Sequence, residues 1–292
     1  MRILLTGITG YLGSHLAHAL LNNGNEIIGL KRTSSSLQRI DSILPKLALH
    51  DVEAEDLTVW FRQLGKVDAV IHTATSYGRK GESTNEIQQA NLVFPLELLN
   101  AAIEAGVDLF INTDTVLDKF LNPYALSKGQ FAEWGKYFAQ QQKIHFINIK
   151  LEHFYGPNDD PTKFTAHVIN SCLNNVPELN LTLGEQQRDF IYIDDVVSAY
   201  LVLLKKHTLF EEQFIELDLG SGIAITIKQF VETVHTNTQS TTRLNFGALS
   251  YRAGEAMYSK ATTDQLESLG WQCQHDLNAG INLIIEQQRN SL

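Results

Sequence analysis

The segment Thr6-Gly7-Ile8-Thr9-Gly10-Tyr11-Leu12-Gly13 joins a short apolar run, Arg2–Thr6, to an amphipathic stretch over residues 11–23. No other feature of the chain narrows its possible folds as far. Glycines at this spacing let the backbone turn tightly from a strand into a helix. They also let it approach a pyrophosphate, whose charge the free N–H groups of the helix start stabilise. A tight turn without a ligand would use the same residues, so the weight of the loop comes from its position directly after a first strand.

The rest of the first half repeats that alternation. Apolar runs at 26–30, 48–50, Ala69–His72, 109–112 and 145–150 read as strands, and helix-like segments at 11–23, 85–105 and 123–142 lie between them. Such alternation implies parallel βαβ units with right-handed crossovers, and runs without polar alternation fit strands covered on both faces. Beyond Gly156 the rhythm loosens. Helix-like 164–174 is followed by strand-like 179–183 and 189–193, a helix from Asp194, then Phe214–Leu219, a helix at 225–235 and a final one at 277–289. The expected fold is α/β: a Rossmann-type doubly wound parallel sheet with a smaller mixed α/β C-terminal domain for substrate. We assign residues 1–162 and 188–236 to the dinucleotide-binding domain, and 163–187 and 237–292 to the smaller one.

Composition excludes several classes. The 292 residues are 43 % apolar and 19 % charged, which suits a folded domain rather than a disordered chain. A net charge of −10 argues against general nucleic-acid binding, which needs clustered cations. The two cysteines, Cys172 and Cys273, have no metal or redox spacing, so a reducing compartment and no metal site are expected. The N-terminal apolar run is too short for a signal peptide and no stretch reaches the length of a membrane span, which predicts a cytoplasmic protein.

The second strand runs into Lys31-Arg32-Thr33-Ser34-Ser35-Ser36. A site for NAD usually places a carboxylate here for the ribose 2′-hydroxyl. Two cations and several hydroxyls suit a 2′-phosphate better, with Arg32 binding it as a fork and Ser34 or Ser35 adding a hydrogen bond. NADPH is therefore expected ahead of NAD, and an ordinary solvated basic turn is the other reading of Lys31 and Arg32.

Tyr124-Ala125-Leu126-Ser127-Lys128 follows Asn122 and Pro123, a plausible helix cap and first helical residue. Positions i and i+4 share a helix face, so Tyr124 and Lys128 project together. A phenol titrates near pH 10, and a neighbouring ammonium with an oxidised nicotinamide would lower that toward neutrality. A surface Tyr and Lys on an amphipathic helix would look the same in isolation. The fifth strand, however, ends in Thr113-Asp114-Thr115, where folds of this kind place ligands, and the Thr113 hydroxyl could hold a substrate oxygen beside Tyr124.

Taken in order, TGITGYLG, TDT, YALSK, FYGP and RDFIYIDD resemble the extended short-chain dehydrogenases, specifically the sugar-nucleotide epimerase/dehydratase family, over nearly the whole chain. The GxxGxxG spacing is the short-chain dehydrogenase form of the glycine loop. The resemblance implies a catalytic triad of Thr113, Tyr124 and Lys128, with Tyr124 as acid–base and Lys128 also on the nicotinamide ribose. It implies cofactor contacts from Gly7, Thr9, Gly10, Tyr11, Leu12 and Gly13, from Lys31, Arg32 and Ser34, and from Asp51 and Val52 at the adenine. Thr73, Ala74 and His153 complete that set.

For substrate, the resemblance implies Arg188 and Arg252 at the diphosphate of a nucleotide sugar held between the domains; Asp114 and Thr115 are placed near the sugar, where Asp114 fits either a helix cap or a group that orients substrate. Arg188 pairing with Asp189 or Glu185 is the plainer alternative. Family 4,6-dehydratases carry Thr-Asp-Glu where this chain has Thr-Asp-Thr; Thr115 cannot act as the missing base, so dehydration is not expected. The segment Lys150-Leu151-Glu152-His153-Phe154-Tyr155-Gly156-Pro157 is most similar to that of CDP-abequose and CDP-paratose synthases, which reduce a 4-keto sugar. An NADPH-dependent 4-ketoreductase is therefore expected, with an NAD-dependent 4-epimerase as the second reading and a non-catalytic NADP sensor as a third. A homodimer through 85–105 and 123–142 is expected from the family alone.

Overall fold

Strand β1 (Arg2–Thr6) lies inside a seven-stranded sheet, with β2 (Glu26–Lys31) on one side and β4 (Ala69–His72) on the other. Outward from these lie β3 (Leu47–Asp51) beyond β2, and beyond β4 come β5 (Leu109–Thr115), β6 (His145–Leu151) and β10 (Phe214–Leu219). The pairs from β3 through to β5 are all parallel. The structure is a computed structural model and describes residues 1–252 and 254–290.

Register brings the working ends together. Thr6 pairs with Leu30 and with His72, and His72 pairs with Asn112, so the loops at Gly7, Lys31, Thr73 and Thr113 leave the sheet at one edge. The chain order reverses between β1 and β4, the position at which open α/β sheets form their ligand crevice.

Helices α1 (Tyr11–Asn22), α2 (Leu57–Gln63), α3 (Thr84–Gln88), α4 (Phe94–Glu104) and α5 (Pro123–Gln140) accompany the strands. Ile3, Leu4, Leu5, Val70, Ile71, Phe110 and Ile111 are buried, as expected for strands covered on both faces. Phe110 stacks on Phe146 at 5.4 Å between ring centres, and Phe131 of α5 meets both rings edge-on. Each buried ring contributes about 2–3 kcal/mol of apolar burial. Gly135 is what admits Phe146 so close, because a Cβ there would overlap the ring.

The helix expected over 85–105 is interrupted. Between α3 and α4 the backbone makes a π turn, Gln89–Val93. Pro95 explains the break: it lacks the N–H that the carbonyl of Asn91 would otherwise accept, so a regular helix cannot run through.

By its contacts the chain forms two units: Met1–Lys150 with Tyr200–Leu217, and Leu151–Ala199 with the chain from Asp218 onward. The second contains β7 (His153–Tyr155), α6 (Phe164–Leu173), β8 (Glu178–Leu181), β9 (Gln187–Tyr192) and the start of α7 (Ile193–Lys206). It continues with β11 (Ala224–Thr226), α8 (Ile227–Asn237), β12 (Arg243–Phe246), α9 (Asp264–Ser268) and α10 (Leu277–Asn290). The sequence-based boundaries differ from these. Residues 151–162, 188–199 and 218–236 sit with the second unit because β9 pairs with β7 and β11 in a sheet of their own.

Within the second unit, Asp195 at the start of α7 is buried and draws its donors from far along the chain. Its carboxylate accepts the backbone N–H of Gln274 (2.9 Å) and of His275 (3.0 Å), with the His275 ring also 3.0 Å away. The Cys273 thiol approaches at 3.3 Å, and burial beside this carboxylate pushes that thiol up to about 12, so it remains a donor.

Candidate active site

The glycine loop forms a cradle. Gly7 adopts φ +67°, and a Cβ there would lie 2.7 Å from the Thr73 hydroxyl and 2.8 Å from the Ala74 nitrogen. A Cβ on Gly13 would overlap the Gly7 carbonyl. Only glycine fits either position, and α1 begins at Gly10 without a side-chain cap. Open N–H groups at a helix start beside a loop without side chains fit a dinucleotide pyrophosphate. Thr6 and Thr73 lock the two loops together: the Thr73 hydroxyl donates to the Thr6 carbonyl (2.8 Å), and the Thr6 hydroxyl accepts from the N–H groups of Thr73 and Ala74.

At the end of β2 the cations divide. Lys31 is ion-paired with Asp51 at 3.2 Å, and the Thr33 hydroxyl donates to the same carboxylate at 2.7 Å. These bonds, led by that from Thr33, hold Asp51 down to about 2. The Arg32 side chain is exposed at the turn, where its backbone N–H meets the Ser35 hydroxyl at 3.2 Å. Val52, whose N–H donates to the Lys31 carbonyl, packs on the core beside this turn.

Tyr124 and Lys128 lie one turn apart on α5, whose start is capped by the Asn122 side chain on the Ala125 N–H at 2.8 Å. Tyr124 is half-buried, and Lys128 is only 2 % exposed. Burial pushes Tyr124 above the ordinary phenol range, with Tyr77 and Asp114 adding to it and a hydrogen bond from Thr115 and the charge of Arg79 opposing. Desolvation thus dominates in the chain itself, and the phenol stays protonated. Burial brings Lys128 down to about 8, and Asp114 opposes that shift.

The three residues ending β5 have separate partners. The Thr113 hydroxyl lies 2.6 Å from that of Tyr200, while Thr115 is the threonine that favours ionisation of Tyr124. The buried Asp114 carboxylate accepts from the Thr115 N–H at 2.8 Å and from the Asn148 amide at 3.0 Å. Asn148 also meets Glu216 (3.0 Å) and Asn112 (2.7 Å), forming a polar group under the site.

Sequence reasoning did not single out Tyr77, Arg79, Asn91, Asn148 or Tyr200. Asn91, in the π turn, is fully buried: its amide donates to the Ser127 hydroxyl on α5 and to the Ser76 carbonyl, and its oxygen accepts from Ser76 N–H and Thr75. It ties the loop carrying Tyr77 to α5. A polar residue in an otherwise apolar helical run was the signal available for it.

In the second unit, Arg188 is buried against protein partners: Glu255 at 2.7 Å, and the carbonyls of Gln187 and Ala256 at 2.8 and 2.5 Å. Its ion-pair partner is thus Glu255, neither Asp189 nor Glu185. Arg252 is exposed, with its carbonyl accepting from Glu255. His153 stands 3.2 Å from Glu152, whose other oxygen accepts from Ser259 at 2.5 Å.

A glycine cradle at the switch point of the sheet, beside a Tyr–Lys helix, fits a Rossmann-type enzyme that binds a dinucleotide. Residues 3–214 match the NAD dependent epimerase/dehydratase family, and the chain belongs to that family. It is 33 % identical to the CDP-abequose synthase of Salmonella muenchen, with 98 % of each chain covered. It is 26 % identical to the dTDP-D-glucose 4,6-dehydratase of Mus musculus, over 99 % of this chain and 89 % of the other. The UDP-glucose 4-epimerase of Thermotoga maritima shares the fold at a TM-score of 0.86, with 22 % identity over 100 % of this chain and 99 % of that one.

Proposed function

We propose that this chain is an NADPH-dependent reductase of the 4-keto group of a nucleotide-linked deoxyhexulose, with CDP as nucleotide, in the synthesis of a sugar for bacterial surface polysaccharide. The observation that carries this reading is the α5 pair: a phenol kept protonated by burial, one helical turn from a buried lysine at the strand ends. When bound, the nicotinamide supplies the hydride that reduces the carbonyl carbon.

Tyr124 gives its proton to the carbonyl oxygen as charge develops there, so hydride and proton together complete the alcohol. The Thr113 hydroxyl holds that oxygen, and the Lys128 ammonium stabilises the tyrosinate left behind, in surroundings dry enough to strengthen both interactions. Lys128 also binds the nicotinamide ribose in this reading. Gly7 through Gly13, with Thr9, Tyr11 and Leu12, hold the pyrophosphate. Asp51 and Val52 border the adenine, and Arg32 with Ser34 takes the 2′-phosphate, since Lys31 is committed to Asp51. Thr73 and Ala74 line the nicotinamide side, and His153 is a further cofactor contact in this reading. Asp114 and Thr115 are the residues nearest the sugar in this reading, and Arg252 is an exposed cation for the diphosphate. The threonine at 115, where dehydratases need glutamate, supports reduction over dehydration.

The Lys31–Asp51 pair also favours a second reading, since it draws Lys31 away from a 2′-phosphate: an NAD-dependent nucleotide-sugar 4-epimerase. NADPH oxidation against 4-keto sugar nucleotides differing in base separates the two. Turnover of a CDP-deoxyhexulose is the expected result, whereas epimerisation without added NADPH by protein that retains NAD would replace this reading with the second. The same proposal pairs two copies through α4 and α5, where Trp134 and Tyr137 are exposed apolar area, and sedimentation velocity checks it. In this reading the protein works in the cytoplasm.

A further inference from the structure

We propose that Tyr200 is a positioning residue whose buried hydroxyl donates to Thr113 and thereby reserves the Thr113 proton for the substrate oxygen; this rests on the reading of Thr113 given above. The argument is one of donor accounting. Tyr200 lies on α7 with its side chain fully buried, and its hydroxyl is 2.6 Å from that of Thr113. Among the described residues, this shared bond is the one side-chain hydrogen bond either hydroxyl makes.

Each hydroxyl carries one proton and can accept at its lone pairs. If Thr113 donated, the proton of Tyr200 would be enclosed in the core with no acceptor, an arrangement that folded proteins avoid. With Tyr200 as donor, its proton is satisfied and Thr113 is the acceptor. The remaining proton, that of the half-buried Thr113 near the end of β5, then has no side-chain acceptor among the described residues. It is left for an oxygen arriving from outside. Burial also pushes the Tyr200 phenol above its ordinary range, so it keeps the donating form throughout the working pH range.

A threonine hydroxyl without such a partner would rotate among its staggered positions and donate to substrate in only part of them. Tyr200 removes that freedom before substrate binds. It touches neither substrate nor cofactor in this scheme and acts only through Thr113.

The test is a double-mutant cycle on the full-length enzyme with NADPH and its 4-keto substrate. Thr113→Val is expected to lower kcat by about 10²-fold, the usual loss for one oxyanion donor. Tyr200→Phe keeps ring and volume and is expected to lower kcat roughly tenfold, with the Kd for NADP⁺ unchanged by titration calorimetry. In the double variant the Tyr200 change is expected to add nothing, because its target is gone. Equal slowing by Tyr200→Phe in both backgrounds, or wild-type kcat in Tyr200→Phe, overturns the proposal while leaving Thr113 in the reaction. Full turnover in Thr113→Val removes Thr113 from the reaction, and this inference with it. Thr113→Ser, which keeps the hydroxyl and leaves the core untouched, is expected to retain turnover; a loss as large as that in Thr113→Val also overturns it.

Discussion

The ring of Tyr77 stands 5.1 Å from that of Tyr124, tilted by 38°, and the Arg79 guanidinium lies 4.8 Å over the Tyr77 ring. The two rings share the apolar surroundings that hold the Tyr124 proton in place, and Arg79 is the cation on that side that favours its release. Tyr124→Phe keeps this packing and removes only the hydroxyl. Turnover is expected to fall about 10²–10⁴-fold, the usual worth of a positioned acid, with NADP⁺ affinity unchanged in a fluorescence titration. Near-normal turnover would remove Tyr124 from the acid role.

Lys128 stores a cost. Its pKa is lowered from 10.5 to about 8 by burial, so the folded chain binds that proton less readily than the unfolded one. Below pH 8 the penalty is complete, at about 3 kcal/mol. As pH rises from 8 to 10.5 the unfolded state loses its advantage and the penalty fades. Lys128→Met is therefore expected to be more stable than the native chain by urea unfolding at pH 7, and the difference should shrink toward pH 10. The same variant should be inactive, and kcat/KM of the native enzyme should fall above about pH 8. A constant difference across that range would rule out titration of Lys128 as its source.

The first unit was legible in the sequence because its strands are buried on both faces and its loops carry glycine. The strand at Phe214–Leu219 coincides with its expected bounds, and that at Ala69–His72 does also. The interrupted helix was not read. The run through Leu92 and Leu98 keeps a helical apolar period, and Pro95 was the only local mark of the break. The second unit was harder. Its strands β7, β8 and β11 are three or four residues long, too short to show a period, and β9 joins partners from distant segments. At the site, order of motifs located Tyr124 and Lys128, but pairings such as Thr113 with Tyr200 join residues 87 positions apart and leave no local pattern.

The two arginines assigned to the diphosphate should behave differently. Arg188 fills a buried bond set with Glu255 and two carbonyls, so Arg188→Gln leaves those groups without a partner and is expected to cost about 2–4 kcal/mol of stability. Arg252→Gln should leave Tm within a degree or two and raise KM for the sugar nucleotide. Thermal unfolding beside steady-state kinetics checks both, and an unchanged KM in Arg252→Gln would remove it from the substrate site.

Cofactor choice rests on Arg32. Arg32→Ala is expected to raise KM for NADPH at least tenfold while leaving NADH unaffected, as loss of a forked phosphate contact should. Lys31→Ala should do less, because Lys31 already answers Asp51. Equal effects of Arg32→Ala on the two cofactors would argue against a 2′-phosphate at this turn.

Asp195 obtains its donors from residues some 80 positions later in the chain. During synthesis that carboxylate emerges long before the segment that satisfies it, and until then a charge stands where the finished protein tolerates none without partners. A chain shortened before Cys273 loses every one of those late donors, so its second unit is expected to be less stable than that of the full chain.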